Sequence, residues 1–161
     1  MAKLFELYNN LLSESIKYPD WITANPKVEI NGNNITLYHY GTDSGTGYLE
    51  PKFFGGHSYT SDVKQWDQPR VFFYVSKEDK EPRVSGDLFI VHYPLNKLYP
   101  FNSDPLYFYE ECQKKFNRKS LDVALQLSCI GSKAAEAGYS GFILKWNNSL
   151  RVDIWTPVKI A

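Results

Sequence analysis

Two short hydrophobic segments each end in residues that could bind a flat polar ligand. The first, LYHYGT at residues 37–42, contains His39 and Gly41, and the second, PRVFFY at residues 69–74, ends at Tyr74. An imidazole can hydrogen bond to a ligand hydroxyl, and a tyrosine ring can stack on a planar group. Because Gly41 lacks a Cβ, backbone N–H and C=O groups there can approach a ligand closely. The two segments therefore predict a slot for a flat, polar molecule.

Each of these residues also has an ordinary structural interpretation. His39 could be a strand histidine whose ring hydrogen bonds to backbone, instead of a donor aimed at a ligand hydroxyl. Three consecutive aromatic residues precede Val75, which is typical of a strand buried on both faces. Core packing explains Phe72 and Phe73, whereas Tyr74 near the strand end could offer a ring face with its hydroxyl in water.

An acidic residue in the last predicted strand is the third candidate. Strand alternation in RVDIW puts Val152 and Ile154 on one face, and Arg151, Asp153 and Trp155 on the other. Asp153 then either pairs with Arg151 on a solvated face, or lies in a cleft where its carboxylate holds a ribose hydroxyl or stabilises a developing cation.

Other motifs that carry chemistry are missing from the sequence. It contains no HExxH, no Cys/His pair with metal-ligand spacing, no GxSxG elbow and no P-loop. His57 in a Gly-rich loop and His92 in a predicted strand are weak candidates by themselves. We therefore expect no metal site.

Composition predicts a single domain over residues 1–161. The chain has 18 basic and 18 acidic residues, which argues against wholesale electrostatic binding to nucleic acid. No apolar run approaches the length of a membrane span, and the first residues do not resemble a signal peptide, so we expect a cytoplasmic protein. Cys112 and Cys129 fall in predicted helices without metal spacing, and we expect reduced, semi-buried thiols.

Periodicity along the chain predicts an α+β fold. The sequence places helices at 3–17, from Asp104-Pro105 to about 115, and at 120–137. Strands are expected at 35–40, 71–76, 87–93 and 142–146, with a short edge segment at Leu98-Tyr99. Asn31-Gly32 and Asn147-Asn148 are turn signals. A last strand over 151–160 contains Pro157, which suggests an edge or a break.

With these residues in view, the chain resembles the ADP-ribosyltransferase (ART) fold, in its His-Tyr-acid branch, and more specifically the ART-like domains of phage polyvalent proteins. The resemblance covers roughly residues 35–161 and leaves the 3–17 helix outside it. It rests on the order and spacing of loose motifs: LYHYG, LEP through FGG, PRVFFY, LY through DP, AGYSGF and WTPVKI. It implies an ART-like split, mixed or antiparallel β-sheet core with flanking helices.

The resemblance also implies roles for individual residues. His39 would hydrogen bond a ribose hydroxyl of NAD, the backbone at Gly41 would hold the nicotinamide carboxamide, and Tyr74 would stack on the nicotinamide ring. Asp153 would orient the nicotinamide ribose while the bond to nicotinamide breaks with oxocarbenium character. Three further residues would line the NAD site: Tyr40, Thr42 and Phe54.

The chain departs from the family pattern at two places. A tyrosine separates His39 from Gly41, where the family usually has His-Gly. In the last motif, alignment on Trp155-Thr156-Pro157 puts Arg151 where the family has its glutamate, so Asp153 is chosen as the acid on the same face.

Three functions follow. The first is an NAD-dependent mono-ADP-ribosyltransferase, phage-encoded and acting in the host cytoplasm on a host macromolecule, a protein before nucleic acid. The second is an inactive ART-like module that recognises a nucleotide or blocks a host defence protein by contact, with the aromatic loop at residues 48–59 as its surface. The third is a single-stranded nucleic-acid binder, which the neutral net charge disfavours.

Overall fold

A seven-stranded mixed sheet forms the centre of the computed structural model, which describes residues 17–42, 45–51 and 69–160. A two-stranded sheet of β3 and β9 lies apart from it. The strands are β1 Ile30–Asn31, β2 Asn34–Gly41, β3 Tyr48–Leu49, β4 Val71–Tyr74, β5 Asp87–Pro94, β6 Leu98–Pro100, β7 Gly141–Trp146, β8 Ser149–Ile154 and β9 Val158–Lys159. The helices are α1 Asp20–Thr23, α2 Phe108–Phe116 and α3 Val123–Glu136, with 3-10 turns at Lys77–Asp79 and Leu95–Lys97.

The sheet runs β1-β2-β4-β8-β7-β6, with β5 along the other edge of β2. All neighbours are antiparallel except β6 and β7, which are parallel. The predicted α+β class with a mixed sheet is therefore confirmed. β1 and β4 pair with different parts of β2, and β5 pairs with its whole length from Asn34 to Gly41. β1 and β4 must then share the remaining edge, because a strand has only two.

One face of the sheet packs against α1 and the small β3–β9 sheet. Alternate residues of the central strands point into this first core, as the period of two requires. Its fully buried members include Ile35, Leu37, Phe73, Val152 and Ile154. The sequence predicted that Val152 and Ile154 share a face, and both lie in this core.

The opposite face is covered by α2 and α3 over β6, β7, β8 and the start of β4. The second core there contains Phe142, Leu144 and Ile130 among its buried residues. The Cys112–Cys129 disulfide joins α2 to α3 inside this core, with Cα atoms 6.1 Å apart. The prediction of reduced thiols was wrong, because two cysteines assigned to separate helices become neighbours only when those helices pack.

The helix predicted to begin at Asp104-Pro105 begins later, at Phe108. Asp104 still caps it, since its carboxylate accepts from the backbone N–H groups of Phe108 at 2.9 Å and Tyr109 at 2.8 Å. Tyr107, at φ 58°, turns the chain between the cap and the helix. Asp104 therefore caps the helix from outside it, and the predicted start of this helix was too early.

Other boundary predictions agree with the structure to within a few residues or fall outside the described residues. The Asn147-Asn148 turn joins β7 to β8 with both residues at positive φ, and the last strand is broken before Pro157 as expected. The predicted helix at residues 3–17 lies outside the described residues apart from Lys17, and so does Phe54.

Candidate functional site

The ladder between β2 and β4 ends near the predicted histidine. Tyr38 and Tyr74 form the single register pair between the two described strands, although β2 continues to Gly41 and β4 begins at Val71. No register pair among the described strands joins Tyr40 or Gly41 to β4. We call this place, beyond the Tyr38–Tyr74 pair and between the end of β2 and the start of β4, the opening.

The imidazole of His39 lies at this opening. Its Nδ1 is 2.7 Å from the carbonyl oxygen of Phe72, and the ring is half-buried beside Phe73, with ring centroids 5.5 Å apart. Because a carbonyl only accepts, Nδ1 carries the proton and donates. A neutral imidazole protonated at Nδ1 is an acceptor at Nε2, whereas the sequence interpretation made His39 a donor to a ligand hydroxyl.

Gly41 accommodates that ring. A Cβ built at Gly41 would lie 2.7 Å from Nε2 of His39, which is closer than side-chain atoms tolerate. The glycine was expected to let a ligand approach the backbone. In the structure its missing side chain makes room first for the imidazole two residues earlier, which points to the same side of β2.

Tyr74 points to the other side of the sheet from His39. Tyr74 lies directly across from Tyr38, so these two side chains share a face of the sheet. His39 follows Tyr38 in the strand and therefore points to the opposite face. The ring of Tyr74 meets that of Tyr40 edge-on at 6.1 Å, and the Tyr74 hydroxyl accepts from the backbone N–H of Glu81 at 3.3 Å. Burial raises the pKa of the Tyr74 hydroxyl, which stays protonated at neutral pH.

The side chain of Tyr40 lies on the same face of the sheet as that of Tyr74. The ammonium of Lys80 stands 5.6 Å from the centre of the Tyr40 ring. Thr42 is exposed just beyond β2. This side offers aromatic rings with a cation beside them, a setting that suits a planar ligand.

Asp153 lies neither on a solvated face nor in a cleft. Its side chain is fully buried, and its carboxylate is held by two arginines. Arg151 donates to it from Nε at 2.7 Å and from Nη2 at 3.0 Å, and Arg70 donates from Nη1 at 3.3 Å. The expected Arg151–Asp153 pair is present, but it is inside the second core, and the role of Asp153 as a reacting acid stays a prediction that this burial opposes.

Arg70 is the residue that the sequence reasoning missed. Its side chain is fully buried beneath α3, where Nη2 donates to the carbonyl of Leu127 at 2.7 Å. A Cβ at Gly131 would overlap Nη2, so the glycine in α3 opens the space for the guanidinium. The available signal was a charged residue next to the apolar run VFFYV, which requires a buried partner.

The three proposed catalytic residues are thus divided by the sheet. Tyr74 shares a face with Asp153, because Phe72 pairs with Asp153 and Tyr74 pairs with Arg151. His39 projects to the other face. A ligand that contacts both His39 and Tyr74 must therefore reach both faces of the sheet.

Comparison with protein-family models, curated proteins and solved structures gives no match to this chain. Within the described residues, no helix is long and apolar enough to cross a membrane. Over those same residues, no group of three or more His, Cys, Asp or Glu side chains could hold a metal ion.

Proposed function

We propose that this chain is an ART-like domain that binds NAD, or its ADP-ribose portion, at the opening between β2 and β4, and that it holds the nucleotide without transferring ADP-ribose. The observation that carries the proposal is the end of the β2–β4 ladder, with the His39 imidazole held beside it. The Phe72 carbonyl accepts from Nδ1 and fixes the orientation of the ring.

Binding without transfer follows from the position of the acid. An acid that assists cleavage of the ribose–nicotinamide bond must reach the ribose, because its charge stabilises an oxocarbenium ion only at close range. Asp153 is fully buried and engaged by two guanidiniums. Arg151, and not an acid, stands across from Tyr74.

Transfer of ADP-ribose to a host macromolecule is the second candidate function, and one contact favours it. The backbone N–H of Glu81 is bonded to the Tyr74 hydroxyl, so the Glu81 chain segment lies at the aromatic side of the opening. Its carboxylate is about one-third exposed in a pair with Arg83. Glu81 is therefore a described acid that could act in place of Asp153.

The phage origin and a host protein as partner belong to this proposal through the resemblance alone. A host-cytoplasmic location also stays a prediction. The Cys112–Cys129 disulfide is typical of proteins from oxidising compartments, and it opposes that location.

Calorimetric titration with NAD tests the proposal. Replacing His39 by alanine removes one hydrogen-bonding group, and we expect NAD affinity to fall about tenfold. His92→Ala is the matched control, because His92 is exposed on β5, away from the opening. We expect the wild-type protein to bind NAD and to release no nicotinamide above a protein-free control.

Three results would change this conclusion. If wild-type protein does not bind NAD, the proposed function is wrong. If the His39 variant binds NAD as well as wild type and the His92 variant do, the site is not at the opening. If nicotinamide is released and Glu81→Gln abolishes the release, the transferase function replaces binding alone.

A further inference from the structure

Arg151 occupies a central place on the side of the sheet that carries Tyr74. Register pairs run across four strands from Tyr38 to Tyr74, then to Arg151 and to Leu144. Arg151 is the basic member of this row. Its side chain is 15% exposed, whereas that of its partner Asp153 and that of Arg70, the other partner of Asp153, are 0% exposed.

The buried cluster around Arg151 carries a net positive charge. Two guanidiniums, of Arg70 and Arg151, share the single carboxylate of Asp153. Arginine keeps its charge under all ordinary conditions, so the three groups sum to plus one when the carboxylate is ionised. The excess charge reaches solvent only through Arg151, and an anion placed there would be attracted by a field that water screens little.

The guanidinium of Arg151 is held rigidly and presents unused donors. The Trp146 ring lies 4.0 Å from its central carbon, and the Phe72 ring lies 5.0 Å from it. Its Nε and Nη2 donate side-on to Asp153. A guanidinium has five N–H donors, and the carboxylate uses one from each of these nitrogens, so the Nη1 edge is directed away from Asp153.

We propose that Arg151 binds a phosphoryl group of a nucleotide, with the phosphate on the Nη1 edge beside Tyr74. This inference deepens the proposed function and rests on it for the nucleotide, but the phosphate contact itself can be tested separately. Charge-assisted hydrogen bonds from an arginine fork suit phosphate oxygens. Because stacking and the Asp153 pair already fix the side chain, little conformational freedom is lost on binding.

The charged groups next to Tyr74 among the described residues do not change this picture. Glu81 and Arg83 pair with each other at 3.1 Å. Arg151, in contrast, shares its counter-ion Asp153 with a second arginine, Arg70.

Titration calorimetry with ADP, adenosine and inorganic pyrophosphate tests this contact. We expect ADP to bind at least tenfold more tightly than adenosine, and pyrophosphate to compete with ADP. Arg151→Lys keeps a positive charge beside Asp153 but loses the planar pair of N–H donors. We expect this variant to lower ADP affinity about tenfold and to leave adenosine affinity unchanged. Arg118→Lys, at an exposed position after α2, is the matched control.

The wild-type protein alone gives a second measurement if Arg151→Lys fails to fold. ADP affinity should fall with added salt more steeply than adenosine affinity. Any of three results would overturn the inference. Wild-type protein could bind ADP and adenosine equally well, or Arg151→Lys could bind ADP as tightly as wild type does. The third such result is that the protein binds neither ADP nor pyrophosphate. Binding of pyrophosphate through Arg151 without any NAD binding would overturn the proposed function and support the phosphate contact.

Discussion

Asp153→Asn should lower the free energy of unfolding by about 3–5 kcal/mol, the range for breaking a buried ion pair by removal of one partner. The carboxylate is fully buried, and it is the shared counter-charge of Arg70 and Arg151. Asparagine has nearly the same shape but no charge, so the variant keeps two guanidiniums close together with no anion between them. Urea unfolding followed by circular dichroism would measure the loss.

The exposed pair Arg83–Glu81 supplies the control for Asp153. Glu81→Gln should change stability by less than about 1 kcal/mol, because solvent screens that pair. An Arg70→Met variant and the Arg70→Met/Asp153→Asn double variant complete a thermodynamic cycle. The double variant should lose less unfolding free energy than the sum of the losses in the two single variants. If Asp153→Asn has wild-type stability, Asp153 is not held as described and a catalytic role for it regains weight.

Removing the Cys112–Cys129 disulfide should cost about 3 kcal/mol, as expected for a closed loop of this length. The two cysteines are separated by 17 residues and both are buried in the core between α2 and α3. For a domain of this size, that loss corresponds to a fall in Tm of roughly 10 °C. Calorimetry of the Cys112→Ala/Cys129→Ala double variant, and of wild type with and without reductant, would measure it.

A thiol titration in denaturant provides the independent check on the disulfide. Without reductant we expect no reactive thiol, and after reduction both cysteines of the chain should react. The reductant should not alter the Tm of the double alanine variant, which serves as the control. Two reactive thiols in the unreduced protein would contradict the disulfide and restore the expectation of reduced cysteines.

Local pattern was sufficient to predict most strands and the α+β class. β2 and β7 were located within one or two residues, because their apolar and β-branched residues form continuous buried runs. The helix predicted at 120–137 overlaps α3, because its apolar residues recur at helical spacing. These features depend on neighbours along the chain, which a sequence displays directly.

The arrangement of the candidate site depends on contacts that the sequence does not display. Asp153 is buried because Arg70, 83 residues away in the chain, reaches it beneath α3. His39 and Tyr74 were expected to converge, but which face each one occupies is set by the register of β2 against β4. A shift of one residue in that register would have placed both side chains on the same face.

The most direct test of the account is the NMR signal of the His39 imidazole during titration with NAD. Assignment is practical, since the chain has three histidines and His39→Ala identifies the resonance. The account predicts that the ring nitrogen signals of His39 move in a saturable way as NAD is added, while those of His92 stay in place. Saturable binding of NAD that leaves the His39 signals unchanged would contradict a site at the opening between β2 and β4.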